Sequence, residues 1–575
     1  MRFKELSKYI EEIEKVSSRL QITNLLSSLF RKLNINEIDK TIYLLQGRIA
    51  PLYDLRELGL AEKMIIKSAV KALNLDKDLF ISEYKKTGDL GLTVEFFKKQ
   101  IISIESKDLS INEVFENFEK ISSKSGKGSQ DVKIGILSLL ISQLDSLSCR
   151  YIVRIPLGTM RLGFSDMTIL DALSWTLKGD KSLRPVLEYA YHVKPNLGEI
   201  AKIIKQKNIK TLEKINTEIF TPIIMMRAER LSSGSEIIDK IGQCAIEPKY
   251  DGFRLQVHIK GEKIKMFSRN LEDVSYMYPD IALGIKKQLI LKEGIVEGEA
   301  IGFDPSSGSF LPFQETVQRK RKYNIEEKAK QVPLKFFVFD LLYINGINYI
   351  NEPFSKRRKE LEKIVKTSND KLKNTIFLAS EDLISDGKKI DDIFEDAISK
   401  GLEGVVAKKL NGVYKPGARE WNWIKFKRSY SAHINDTIDC LVMGYDFGKG
   451  KRTGFGIGAF LAGVYDKKND RFLTVAKIGT GLSDKELKEL EKRCKKNSIK
   501  KKPVEYLVED QTNPDVWISP DIIVEIRADE ITKSPIHTAG LALRFPRLER
   551  FRDDKSPNEV TNIDEVNKIF LNQKK

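Results

Sequence analysis

The chain has 575 residues, too many for one hydrophobic core and enough for about three or four domains of ordinary size. Lysine and arginine number 98 against 81 acidic residues, a formal charge of +17 that favours a polyanionic partner without choosing between nucleic acid and anionic lipid. No apolar run approaches the ~18 to 20 residues of a membrane span, and Met1-Arg2-Phe3-Lys4-Glu5-Leu6 leads into no signal-peptide core, so the expectation is a soluble, cytoplasmic protein with no membrane contact.

In chain order, residues 1–216 carry helical periodicity, with apolar residues three and four apart in Phe3 to Leu20, Gln21 to Leu33 and Asp131 to Gln143. Ser122 to Gly128 reads as a polar break between helices. Tyr151 to Ser165 reads as a strand-like interruption, after which Asp166-Met167-Thr168 starts another helix. Around Phe220-Thr221-Pro222-Ile223 the texture changes to alternating strands and helices, and it stays so to about Arg428. From residue 429 to 575 the pattern is mostly β: Asp439 to Gly444, Gly458 to Tyr465, Phe472 to Ile478 and Ile522 to Ala528, with glycine-rich turns at Gly448 to Gly458 and one helix at Ser483 to Lys496. Short strands with a single helix fit a Greek-key barrel of the OB type. The expected fold class is therefore multidomain α+β: an all-helical region 1–216, a central α/β region 217–428 and a C-terminal OB-fold β-barrel 429–575. Cys149, Cys244, Cys440 and Cys494 are scattered, which offers neither a disulfide framework nor a zinc ribbon.

Chemistry concentrates in the central region. Ile246-Glu247-Pro248-Lys249-Tyr250-Asp251-Gly252-Phe253-Arg254 sets a lysine, two acids and an arginine around one turn between two predicted strands, with Gly252 free to take a positive φ. A lone loop lysine is most often an ordinary surface cation. Further along, Phe267-Ser268-Arg269-Asn270 places Arg269 after a strand, and Ile295-Val296-Glu297-Gly298-Glu299-Ala300 puts Glu299 at a strand end, where a carboxylate can hold a hydroxyl or a hydrated Mg²⁺. Phe336 to Leu342 is an apolar strand containing Phe339. Glu403 precedes the run Gly404-Val405-Val406-Ala407, and Trp423-Ile424-Lys425-Phe426-Lys427 sets Lys425 and Lys427 on one strand face at period two.

Taken together, Lys249-x-Asp251-Gly252-x-Arg254 and the stretches that follow resemble the nucleotidyl-lysine motifs of DNA ligases, RNA ligases and mRNA capping enzymes. Ala542-Leu543-Arg544-Phe545-Pro546-Arg547-Leu548-Glu549-Arg550-Phe551-Arg552-Asp553-Asp554-Lys555 is similar to the OB-domain motif of ATP-dependent DNA ligases, and Tyr151 to Ser165 resembles a turn in the DNA-binding domain of archaeal and eukaryotic replicative ligases. The resemblance covers essentially the whole chain and is to the archaeal type. It implies a helical DNA-binding domain, an adenylation domain and an OB domain, acting on nicked double-stranded DNA with ATP and Mg²⁺.

Under it Lys249 is the catalytic nucleophile, taking AMP as a phosphoramidate. An ordinary lysine ammonium titrates near ~10.4, so the attacking amine has to be generated locally. The resemblance further implies that Glu247, Arg254, Arg269, Glu299, Phe339, Arg419, Lys425, Lys427, Arg544 and Arg547 contact the nucleotide, Phe339 by stacking on the purine and the OB arginines by orienting pyrophosphate. Glu299 and Glu403 would hold the metal. A sliding clamp is the expected protein partner, with Gln100-Ile101-Ile102-Ser103-Ile104 lying where relatives carry a clamp peptide but lacking its aromatic pair; the expected state is a monomer. A capping enzyme would not need the helical region, an NAD-dependent ligase carries a four-cysteine zinc site that these cysteines do not supply, and an inactive DNA clamp would have lost the lysine or the acids.

Overall fold

The computed structural model describes residues 1–575 apart from 102–105, 322, 367–373, 428–436, 449–455 and 573–575. The chain forms two compact units, one of Met1–Asn74 with Val94–Arg428 and the other of Leu75–Thr93 with Ser429–Lys575. No helix among the described residues is long and apolar enough to cross a membrane.

Up to Glu213 the described residues form helices joined by turns, with no β-strand among them. The stretch Phe3 to Leu33, expected as two helical segments dividing between Leu20 and Gln21, is the two helices Phe3–Lys15 and Arg19–Lys32, dividing a few residues earlier. Its interruption is a capping event: Ser18 takes an extended conformation and its side chain accepts from the Gln21 N–H, which starts the second helix. The strand expected in Tyr151 to Ser165 is not formed. Residues Ser146–Arg154 are helical, capped by Asp145 through the N–H groups of Leu147 and Ser148, and the β-branched Ile152 and Val153 are wholly buried in that helix. Packing has overridden local β-propensity there. Arg161 and the flanking Gly158 and Gly163 then hold positive φ before Asp166–Lys178 resumes as helix.

The central region is built from β1 (Arg227–Arg230), β2 (Cys244–Lys249), β3 (Phe253–Lys260), β4 (Lys263–Ser268), β5 (Glu293–Asp304), β6 (Ser309–Phe310), β7 (Leu334–Ile344), β8 (Ile347–Asn348), β9 (Ile376–Leu378), β10 (Asp382–Ile384), β11 (Gly404–Lys409) and β12 (Arg419–Lys427). One sheet has the order β1-β12-β11-β2-β10 and the other β4-β3-β5-β7-β8, with β6 on β5 and β9 on β7. Alternation gives each sheet one apolar and one polar face. In the first, Cys244, Ile246, Val405, Ala407, Ile424 and Phe426 pack with Ile237 and Phe394 from the helices Gly234–Ile241 and Gly387–Ser399. In the second, Leu255, Val257, Val296 and Phe336 pack with Ile281 and Leu361 from Pro279–Gln288 and Phe354–Ile364. The opposite faces, which carry the charged residues and, on the second sheet, also Ile295, Phe337, Phe339 and Leu342, are left for the site.

In the C-terminal unit, Ile438–Phe447 pairs antiparallel with Ile457–Asp466 and Ile523–Arg527, Ile457–Asp466 pairs with Arg471–Ile478, and Ile523–Arg527 pairs with Arg547–Phe551. Their inward residues, among them Cys440, Val442, Val464, Val475 and Val524, share one core with Leu490 and Cys494 of the helix Asp484–Lys496. This is the β-rich, half-barrel architecture expected of an OB domain. The glycine-rich turn at Gly448 to Gly458 lies mostly outside the described residues.

Candidate active site

Lys249 is the last residue of β2, held in register by β11, where Gly404 pairs with Lys249 and Val406 with Glu247. The chain then has to turn into β3 while passing close to β5. Gly252 permits this, but not through a positive φ as expected: it is absent from the positive-φ residues, and a Cβ there would stand 2.1 Å from the Ala300 carbonyl oxygen. Gly404 does have positive φ, and a Cβ there would stand 2.2 Å from the Phe426 carbonyl oxygen.

The polar faces of the two sheets line a cavity of about 460 Å³ that gathers Glu247, Lys249, Arg254, Arg269, Glu299, Phe339, Glu403, Arg419 and Lys425. Lys427 is not on its lining but reaches Glu403 at 2.9 Å. Arg544 and Arg547 belong to the other unit, where Arg547 pairs with Asp529 at 2.5 Å and the Arg544 guanidinium lies 5.5 Å from the Phe545 ring centre. The candidate clamp segment lies outside the described residues from Ile102 onward.

At the head of the cavity the Lys249 ammonium bonds to Glu403. Burial opposes ionisation of Glu403, yet the Lys249 and Lys427 ammonium groups outweigh it and hold this carboxyl below its ordinary value. Glu299 behaves oppositely. Burial, with Glu403 and Asp251 as like-charged neighbours, raises it to about 7 against the pull of Lys249 and Arg254. It lies mid-strand rather than at the strand end, because β5 continues through Gly302 to Asp304. Lys425 is pushed down to about 8 by burial and by the cations Arg230, Lys249, Lys427 and Arg419. A site that crowds cations in this way suits a polyphosphate.

Two partners of these residues, Lys408 and Trp423, carry no role in the motifs. Lys408, on the cavity face of β11, is buried with its ammonium 2.7 Å from Glu247 and 2.8 Å from the Phe339 carbonyl oxygen, among the rings of Phe339, Phe354 and Trp423. Burial raises Glu247 to about 7 against the pull of Lys408, and its Oε1 has no hydrogen-bond partner. Arg254 packs between Phe339 and Trp423, 5.5 and 5.1 Å from their ring centres. The available signal was alternation: Val406 and Lys408 share the strand face of Glu247 and Lys249 across β11 and β2.

Comparison with known proteins adds to this geometry. A family model described as "ATP dependent DNA ligase domain" matches residues 225–427, "DNA ligase N terminus" matches 2–174 and "ATP dependent DNA ligase C terminal region" matches 453–555. The chain is 43% identical over 585 residues to "Probable DNA ligase" of Dictyoglomus thermophilum, covering 100% of this chain and 98% of that one. It is 40% identical over 597 residues to "DNA ligase" of Saccharolobus solfataricus, again covering 100% and 98%. A solved structure named Pmar-Lig_PreS3 shares the fold at TM-score 0.56 and 18% identity, over 95% of this chain and 99% of that one.

Proposed function

Since the chain belongs to the ATP-dependent DNA ligases and seals nicks in double-stranded DNA, we infer that Lys249 is the residue that carries AMP between ATP and the nick. The observation that carries this is the Lys249 ammonium, held by Glu403 at the head of a cavity whose walls bear Arg254, Glu299 and Lys425. The Lys249 amine attacks the α-phosphate, a P–N bond forms and pyrophosphate leaves. The 5′-phosphate oxygen of the nick then displaces lysine, and the 3′-hydroxyl displaces AMP.

Each step is an in-line displacement at phosphorus, so these side chains act by positioning and charge neutralisation. Lys425, Lys427 and Arg419 supply cations for the phosphates, and Arg254 and Arg269 reach the ribose or phosphate edge. Phe339 offers its ring to the purine. Glu247 Oε1 has no hydrogen-bond partner and lies 3.9 Å from Arg358 Nη1. Arg544 and Arg547 orient the leaving pyrophosphate.

Mg²⁺ suits the donor set: Glu299 is buried beside Glu403 and Asp251, whose mutual repulsion a cation would relieve. The described residues contain no cluster of three or more ligating side chains, and Mg²⁺ ordinarily takes one or two carboxylates with substrate phosphates and water. Glu299 and Glu403 would hold it, and its chemistry is to neutralise charge on the reacting phosphate.

Residues 1–216 are assigned as the DNA-binding domain, 217–428 as the adenylation domain and 429–575 as the OB domain. A monomer acting in the cytoplasm with a sliding clamp completes the reading. It is tested with ATP labelled at the α-phosphate: label should pass from protein to the 5′ end of nicked DNA and then to free AMP. Label reaching DNA without first residing on protein would overturn it.

A further inference from the structure

Arg254 is held on two of its nitrogens and left open on the third. Its Nη1 donates to the Met226 carbonyl oxygen at 2.8 Å and its Nη2 to Glu297 at 2.7 Å, while Nε is buried with no partner. Glu297 is itself fully buried and fixed from two sides. Gln256 Nε2 donates to it at 3.0 Å, and the Tyr414 hydroxyl lies 3.0 Å from both carboxylate oxygens.

The same groups grip the chain that leads in from the helical region. The Met226 N–H donates to the Tyr414 hydroxyl at 2.9 Å, and Gln256 exchanges two hydrogen bonds with the Ile223 backbone at 2.7 and 3.1 Å. The Phe220 N–H donates to His258 Nδ1 at 3.0 Å, which leaves Nε2 to donate to Gln256 Oε1 at 2.9 Å. Phe220 is a non-glycine residue with φ of 73°, a conformation that needs support from its surroundings. A buried polar group without a partner is costly, so a network this complete specifies one arrangement of its members.

We propose that Tyr414, Gln256 and Glu297 are positioning residues for Arg254, locking its two Nη nitrogens and so fixing the guanidinium that lines the nucleotide cavity, with segment 220–226 built into the same lock. The proposal rests on the assignment of ATP to this cavity and goes beyond it by naming what sets Arg254. Tyr414→Phe keeps the ring and removes the hydroxyl, and Gln256→Met keeps the length and removes the amide. If both act through Arg254, their effects disappear once Arg254 is gone.

The test is a double-mutant cycle read by equilibrium binding of α,β-methylene-ATP, which does not depend on Lys249 being the nucleophile. Thermal unfolding of every variant is recorded beside it. Tyr414→Phe is expected to weaken binding about tenfold in the otherwise unchanged chain and less than about twofold in an Arg254→Met chain. Gln256→Met is read the same way and decides the matter should Tyr414→Phe fail to fold. Equal losses in both backgrounds, or none in the unchanged chain, would overturn the proposal, since a purely structural role is additive with Arg254→Met.

Discussion

At Lys425, burial and the four surrounding cations bring the ammonium to about 8, so it is charged below that pH and neutral above it. A bound phosphate favours the charged form, so the sign is fixed: nucleotide affinity is full below about pH 8 and is lost as pH rises through it. Binding of α,β-methylene-ATP should weaken by up to about tenfold per pH unit above that point, the limit for one proton. Lys425→Met should flatten this dependence between pH 7 and 9.5; a slope that survives would assign the titration to another group. At Gly252 the constraint is space. Gly252→Ala forces a methyl group toward the Ala300 carbonyl oxygen and displaces the Lys249 turn, so adenylation should fall about 10²-fold, the scale of a 1 Å misplacement, while the thermal midpoint moves far less.

The elements around the site depend on a buried ion pair. Arg357, on the helix Phe354–Ile364, donates from Nε and Nη2 to the two oxygens of Asp340 on β7 at 2.7 and 3.0 Å, and both side chains are 0% exposed. Removing one partner strands the other charge in the interior. Arg357→Met should therefore cost about 3–5 kcal/mol in denaturant unfolding, and Asp340→Leu added to it should recover most of the loss. A cost below about 1 kcal/mol would mean that water reaches the pair.

This pair also shows where sequence reading stopped. Strands β2, β3, β5, β7, β11 and β12 were legible because apolar residues alternate or run together in them, and the lysines and acids on their polar faces could be picked out by motif. Arg357 and Asp340 were not, since neither their spacing in the chain nor their residue types distinguish a buried charge from a solvated one. Tyr414 and Gln256 were missed for the same reason: their roles come from partners distant in sequence. In the helical region, Ile152 and Val153 looked like strand because β-branched runs favour it locally, and only their burial with Ser148, Cys149, Tyr151 and Arg154 in the helix Ser146–Arg154 reverses that preference.

Across the whole molecule, the proposed nucleotide contacts are divided between the two compact units, with Lys249 in one and Arg544 and Arg547 in the other. Pyrophosphate departs in the first chemical step, so the two arginines have no assigned task afterwards. Arg544→Ala and Arg547→Ala should slow self-adenylation by about 10²-fold or more, the scale of losing a charge-stabilising contact, while sealing of a chemically pre-adenylated nick stays close to that of the unchanged chain. Glu299→Ala should impair both reactions. Equal losses in the two assays for Arg544→Ala would remove it from the pyrophosphate step.

The covalent step at Lys249 is the claim on which the remaining assignments depend. After incubation with ATP and removal of free nucleotide, proteolysis and mass spectrometry should find AMP on the peptide containing Lys249. Lys249→Arg keeps a positive charge but no amine that readily becomes neutral, so its adduct should be absent while the variant still binds nicked DNA. AMP attached at another residue, or an adduct that persists in Lys249→Arg, would contradict the account.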